Sequence, residues 1–420
     1  MRNVFDQYAQ PENRLSHALA SVLQEDAAFR KSFVRWAGLT PPRRAADLRV
    51  LEQGVGGVAD KNGKQRHLGL PDIWLEGGPA FCLMIESKVA AKLTRDQLQR
   101  HLRTARNREY LKPRILVLTA KNETVPDMPE VICRTWASLY TWLGGQMNAL
   151  WPTRLLSYME ILEGQMVEEG YLRDGALTEF RGIPFGRDYP YSYPEAKRLL
   201  TLALDELRRD RMLIKQLGVD SSNPGRGAIT GKAAPGVWDY LGLKAHRKFA
   251  VHTQFPHLTL YLTSRHMEIV VTVPNAVDRR VRRALVGETQ TEFTAHLKDV
   301  CTHLDRLTRQ TKGLRAAKPW MEIRQRHYAS QRSEPVVDGE MNFDLRAAIG
   351  KTRGVKNQPE WLAAAYELLA NKRSNIQWSI GLIVPYDRCP ALKGRAALRV
   401  ISGAWLALKP LTDRAYDALT

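Results

Sequence analysis

The segment AFCLMIESKV, residues 80–89, restricts the fold of this chain more than any other stretch. From Phe81 to Ile85 every position is apolar, the pattern of a strand covered on both faces rather than one alternating between core and water. Such a strand needs a layer above and a layer below it. At Glu86 the run turns charged without a spacer, and the buried stretch ends there. Its partner is GLPDIWLEG, joined to it through the turn signal Gly77-Gly78-Pro79, and the two read as a hairpin.

The surrounding elements supply the layers. ENRLSHALASVLQ places Leu15, Ala18, Leu19 and Val22 at helical spacing, and AAFRKSFVRWAG is a second helix ending at Gly38. After Pro41-Pro42 come a short extended run, DLRVLEQG (47–54), and a loop rich in Gly and Lys. Downstream, Thr94 can cap a helix over RDQLQRHLRTARN, with Leu98, Leu102 and Ala105 as its apolar stripe and Arg dense on its other faces. RILVLTA (114–120) and EVICRTW (130–136) read as buried strands, ASLYTWLGG and TRLLSYMEILEGQMVEEG as helices. The order α-β-β-β-α-β-β-α predicts a mixed α/β (α+β) fold for residues 1–171.

Residues 172–420 form a separate α+β region, with a Gly-, Ser- and Pro-rich loop at 218–236 as a point of further subdivision. SYPEAKRLLTLALDELRRDRMLIKQL reads as one helix capped by Ser192, KFAVHTQFPHLTLYLTSRHMEIVVTVPN as two or three strands, and 278–310 as a long basic helix. Residues 358–371, 376–385 and 396–408 read as helix, strand and helix. A protein partner or substrate-recognition surface is expected of this region.

Charge narrows the class of partner. Over 420 residues, 63 Lys and Arg face 44 Asp and Glu for a formal +19, a field that attracts polyanions, of which nucleic acid is the commonest inside cells. Cys82, Cys133, Cys301 and Cys389 are scattered singly and fit neither a zinc knuckle nor a disulfide framework. No leader opens the chain and no apolar run approaches the ~18 residues a membrane span needs. The expectation is a cytoplasmic protein that does not engage membranes.

The chemistry concentrates at Asp72, Glu86 and Lys88. Side chains alternate along a strand, so Glu86 and Lys88 share one face while Ser87 points away, and the hairpin can bring Asp72 alongside. Two facing carboxylates repel unless a divalent cation lies between them. Mg²⁺ (or Mn²⁺) suits this donor set, taking one or two carboxylates and leaving positions for phosphate and water, with the Ser87 carbonyl as a further ligand. A metal there polarises a phosphodiester, and Lys88 orients the attacking water or offsets developing charge.

Pro71-Asp72, thirteen intervening residues and Glu86-Ser87-Lys88 resemble the signature of the PD-(D/E)XK nuclease superfamily. The resemblance covers about residues 10–136 and implies a restriction-endonuclease-like core, α-β-β-β-α-β, with a mixed sheet flanked by helices. It further implies a catalytic role for Glu12 beside the metal and a place near the site for Gln97. The implied activity is Mg²⁺-dependent cleavage of nucleic acid, DNA first, in a setting such as restriction, phage defence or repair. A non-cleaving nucleic-acid-binding scaffold and an RNA-processing nuclease are the alternatives the same residues leave open. Motif chance is controlled within the chain itself: Glu195-Ala-Lys197 follows Asp188 but opens a helix, where no strand pair can assemble a site.

Phosphate contacts are expected from Arg95, Arg100 and Arg103, with Arg106 and Arg108 on the same helix, and from Lys64 and Arg66 in the loop that also holds Lys61 and His67. Glu52 is a further candidate ligand and His101 lies one turn after Gln97. His246, His252, His257 and His266 fit no zinc template, and the glycines around Gly225 and Gly231 with Lys232 lack the order of a nucleotide-binding loop.

Overall fold

The structure is a computed structural model that describes residues 11–43, 47–52, 70–89, 92–120, 126–146, 149–226, 235–249, 251–328, 335–349, 359–371 and 376–420. The chain divides into two compact units, Met1–Glu179 and Phe180–Thr420. Residues just past 171 therefore pack with the first unit, held by Glu163, whose fully buried carboxylate accepts from the N–H groups of Leu177 (2.7 Å) and Thr178 (3.1 Å) and from the Thr178 hydroxyl.

In the first unit the chain runs α1 (Pro11–Glu25), α2 (Ala27–Trp36), β1 (Arg49–Glu52), β2 (Ile73–Glu76), β3 (Cys82–Lys88), α3 (Arg95–Asn107), β4 (Arg114–Thr119), β5 (Val131–Thr135), α4 (Trp136–Gly144) and α5 (Leu150–Glu168). The five strands lie in the order β1-β2-β3-β4-β5. β1, β2 and β3 are successive antiparallel neighbours, whereas β3, β4 and β5 run parallel, so the sheet is mixed. β3 occupies the centre, and all seven of its residues are buried. One face, with Ile73, Leu83, Ile85, Leu116 and Leu118, packs into a core shared with α1, α2, α4 and α5. The other, with Trp74, Cys82, Met84, Ile115 and Val117, packs against Leu98, Leu102 and Ala105 of α3. β5 is an edge strand with Cys133 and Arg134 exposed, not the buried strand its composition suggested. Among the described residues no strand pairs with its outer flank.

The second unit contains α6 (Tyr193–Leu207), α7 (Arg211–Gln216), β6 (Gly236–Leu241), β7 (His257–Thr263), β8 (His266–Val273), α8 (Arg279–Val286), α9 (Gln290–Gln310), β9 (Lys318–Tyr328), β10 (Pro335–Asp344), α10 (Leu345–Ala348), α11 (Pro359–Ala370), β11 (Ile376–Pro385), α12 (Ala396–Ala407) and α13 (Lys409–Asp417). Its six strands, in the order β10-β9-β11-β8-β7-β6, are antiparallel throughout. One buried cluster runs from Phe180 to Ala415 and includes residues on both sides of 218–236, so that loop does not split the unit.

Three local readings change. The helix expected over 193–217 is two, because Asp210 starts a new one by accepting from the N–H groups of Met212 (2.7 Å) and Leu213 (3.2 Å). Ser192 sits at the α6 N-cap but makes no side-chain cap bond. The basic stretch 278–310 breaks at Gly287, whose φ of +83° is left-handed backbone that ends α8. β9 and β10 had no counterpart in the sequence reading. Among the described residues no helix is long and apolar enough to cross a membrane.

Candidate functional site

β3 carries its charge inside the fold. Alternation puts Glu86 and Lys88 on the face of Cys82 and Met84, toward α3. Glu86 is 2% exposed and Lys88 8%. A carboxylate that deep costs several kcal/mol unless charge and hydrogen bonds compensate it. Lys88 Nζ lies 2.9 Å from Glu86 Oε1, and the Gln97 amide donates to the same oxygen at 2.5 Å. Glu86 Oε2 shares a 3.1 Å hydrogen bond with Nε2 of His101, itself 1% exposed.

Gln97 and His101 meet one carboxylate because residues four apart stack on the same side of a helix. The Thr94 hydroxyl fixes where α3 begins by accepting from the Gln97 N–H at 3.3 Å. Leu98, Leu102 and Ala105 then press that side of α3 onto Met84 and Trp74. His101 is thus no surface residue. Its signal was present in the sequence as a polar position flanked by the apolar stripe, one turn from Gln97.

Asp72 arrives from the neighbouring strand. It lies just before β2 rather than in the middle of a strand, and the β2–β3 register ends at Ile73 opposite Ile85. Continued by one pair, that register sets Asp72 across from Glu86. Asp72 Oδ2 accepts the Ser87 N–H at 2.7 Å, which brings its carboxylate to the edge of β3 between Glu86 and Lys88. The Ser87 carbonyl leaves the strand on the same edge as its N–H, while its side chain is buried.

Asp72, Glu86 and the Ser87 carbonyl therefore present hard oxygen donors at one strand end. Two carboxylates are the number that Mg²⁺ usually draws from protein, so the donor chemistry fits. Among the described residues, no third His, Cys, Asp or Glu joins them as a ready metal-binding group. Glu52 does not: its register with Ile73, and through it Ile85, puts it on the opposite face, where it pairs with His17 of α1 at 2.9 Å. Glu12 lies in the first turn of α1 with its side chain outside the described residues. Lys61, Lys64, Arg66 and His67 fall outside them altogether.

Arg95, Arg100 and Arg103 are exposed on α3 and none is ion-paired among the described residues. Arg106 is different, lying 3.0 Å from Glu130, and Arg108 stacks over the Trp74 ring at 5.0 Å. In the second unit His246 is a structural residue. Its Nδ1 accepts from the Leu243 N–H and its Nε2 bonds the Phe255 carbonyl. His266 pairs with Glu268 at 3.0 Å, and the side chain of His252 is outside the described residues. Glu195 pairs with Arg198 in the first turn of α6, as an ordinary helical turn does, and Lys232 lies outside the described residues.

Compared with known proteins, the chain matches no family model, no curated protein and no solved structure.

Proposed function

We propose that the first unit is a metal-dependent nuclease of the PD-(D/E)XK type that hydrolyses phosphodiester bonds in nucleic acid, with DNA as the leading substrate. One observation carries the reading: an acid ahead of β2 accepts the backbone N–H of Ser87, the residue that stands between the acid and the amine paired at the end of β3. The α-β-β-β-α-β order around a mixed sheet supports a restriction-endonuclease-like core.

Asp72 and Glu86, with the Ser87 carbonyl, would hold Mg²⁺ or Mn²⁺. When bound, the ion would polarise the scissile phosphate and lower the pKa of a coordinated water. Lys88 holds its ammonium beside Glu86, where it can orient the attacking water and offset charge on the phosphate oxygens. Gln97 and His101 keep the Glu86 carboxylate from rotating. Arg95, Arg100 and Arg103 offer exposed cations for the sugar-phosphate backbone.

The test is cleavage of linear, circular and single-stranded DNA and of RNA by the intact protein, with Mg²⁺, Mn²⁺ or EDTA. Activity should require the metal and fall at least about a hundredfold in Glu86→Gln and in Lys88→Ala. Full activity in both variants would remove the site from the mechanism. A second reading, a scaffold that binds nucleic acid without cutting, draws on the complete engagement of Glu86 by Lys88, Gln97 and His101. Salt-sensitive binding with no cleavage under any metal would favour it.

A further inference from the structure

We infer that the second unit holds a binding site of its own for a phosphate-bearing nucleobase. It is a cavity of ≈ 770 Å³ at one end of the six-stranded sheet. The Gly186-Arg187 segment, the β7–β8 turn, the start of β9, the end of β10 and the turn after β11 line it. This inference goes beyond the proposed nuclease and uses none of its residues.

Charge argues for an anion. Arg187, Arg265, Lys318 and Arg388 line the cavity, all exposed, and none is ion-paired among the described residues. Elsewhere in the same unit, arginines find acids: Arg247 holds Asp220 at 2.7 Å and Arg324 holds Glu340 at 2.8 Å. The lining carboxylate Asp344 is already taken, gripped by Arg346 at 2.8 and 3.0 Å, which leaves Asp387 to oppose the four cations. Like charges gathered round one concavity repel unless a polyanion joins them.

Shape and lining argue for a ring attached to that anion. The volume falls within the range of small-molecule sites, about 300–1,000 Å³, and far exceeds what inorganic phosphate fills. Trp320 is half-buried in the wall, where a flat base can stack. Trp320 has room beside its ring because its cross-strand neighbour on β11 is Gly381. That glycine is itself required, since a Cβ there would meet the Ile269 carbonyl of β8 at 2.1 Å. Ser264 and Asn342 add neutral hydrogen-bonding groups suited to a base edge. A free nucleotide and the phosphorylated end of a nucleic-acid strand share this chemistry.

Calorimetric titration of the intact protein in EDTA tests it, with AMP, adenosine, inorganic phosphate and a tetranucleotide with or without a 5′-phosphate as probes. AMP or the phosphorylated tetranucleotide should bind at least about tenfold more tightly than adenosine or phosphate alone, and which of the two binds identifies the source. Lys318→Ala and Trp320→Ala should each weaken binding about tenfold, with Trp320→Phe restoring most of it. Glu86→Gln should leave it unchanged, so failure here and failure of the nuclease reading are separable. No saturable binding of any probe, phosphate binding as tightly as AMP, or affinity indifferent to Lys318 and Trp320 would each overturn the assignment.

Discussion

β3 in the first unit and β9 in the second carry similar side chains to opposite effect. Both mix apolar residues with Glu and Lys or Arg. β3 lies in the middle of a sheet covered on both faces, so its Glu86 and Lys88 must be neutralised within the fold, by each other and by α3. β9 belongs to a sheet with one apolar face and one polar face, the latter partly covered, with Thr259, Thr272 and Ser379 buried on it. Met321 and Ile323 enter the core, while Glu322 and Arg324 alternate with them onto a polar face that also carries Glu268 and Glu340. Charge in a doubly covered strand is expensive and therefore points to a site. On the polar face of β9 it is shared among neighbouring side chains, Arg324 pairing with both Glu322 and Glu340.

The sharpest way to break this comparison is to truncate one residue in each sheet. Ile85→Ala, in a side chain 1% exposed, should cost about 3–4 kcal/mol through lost burial and a cavity. Arg326→Ala, on the polar face and bonded to Gln377 at 3.0 Å, should cost no more than about 1 kcal/mol. Urea unfolding of each variant measures the difference. Similar losses at the two positions would mean that the sheets are not covered as described.

Two buried carboxylates of the first unit sharpen it further. Glu163 binds only the fold, tying Leu177 and Thr178 to α5, so Glu163→Ala should cost about 2–3 kcal/mol by stranding buried donors. Cleavage per folded molecule should be untouched. Glu86→Gln keeps the shape and most of the hydrogen bonds, and should instead remove activity at a smaller cost in stability. Measuring both quantities on both variants separates the roles, and a Glu163 variant that folds fully but cannot cut would reverse the assignment.

What could be read from the sequence follows the same division. The unbroken apolar run before Glu86 announces a central strand, and Asp72 and the Glu86-Ser87-Lys88 end of that run stand out because they place charge at the ends of two paired apolar stretches. The helices of the first unit followed from periodicity and caps, Thr94 among them. A single His on an Arg-rich helix such as His101 looks like surface in the sequence until Glu86 supplies a buried partner. Glu163 gives no signal, since two of its partners are backbone N–H groups that any sequence possesses and the third is a single hydroxyl fifteen residues away. β9 and β10 give no apolar run in the sequence because their outward residues, Glu322, Arg324, Arg326 and Glu340, interrupt it. The cavity residues Arg187, Arg265, Lys318 and Arg388 come from four separate segments and converge only in three dimensions.

The smallest of these effects is a dependence on pH confined to the second sheet. Glu322 sits on β9 with Arg324 beside it on the same strand and face, Glu340 near it on β10 and Glu268 on β8. Burial pushes its carboxyl from an ordinary 4.5 up to about 7, with Arg324 pulling the other way and the two glutamates adding to the rise. The folded state then holds a proton that the unfolded chain gives up more readily. The stabilisation is complete below 4.5, declines as pH rises, and is gone above about 7. Its size is on the order of 1–2 kcal/mol across that window, given the nearby Arg324. Glu322→Gln should flatten this slope, because the amide mimics the protonated acid at every pH. Unfolding midpoints measured at both ends of the window in wild type and variant decide it. A wild-type protein that instead grows more stable between them, through a term the variant abolishes, would show that Arg324 outweighs burial and that this polar face can hold a charged pair as β3 does.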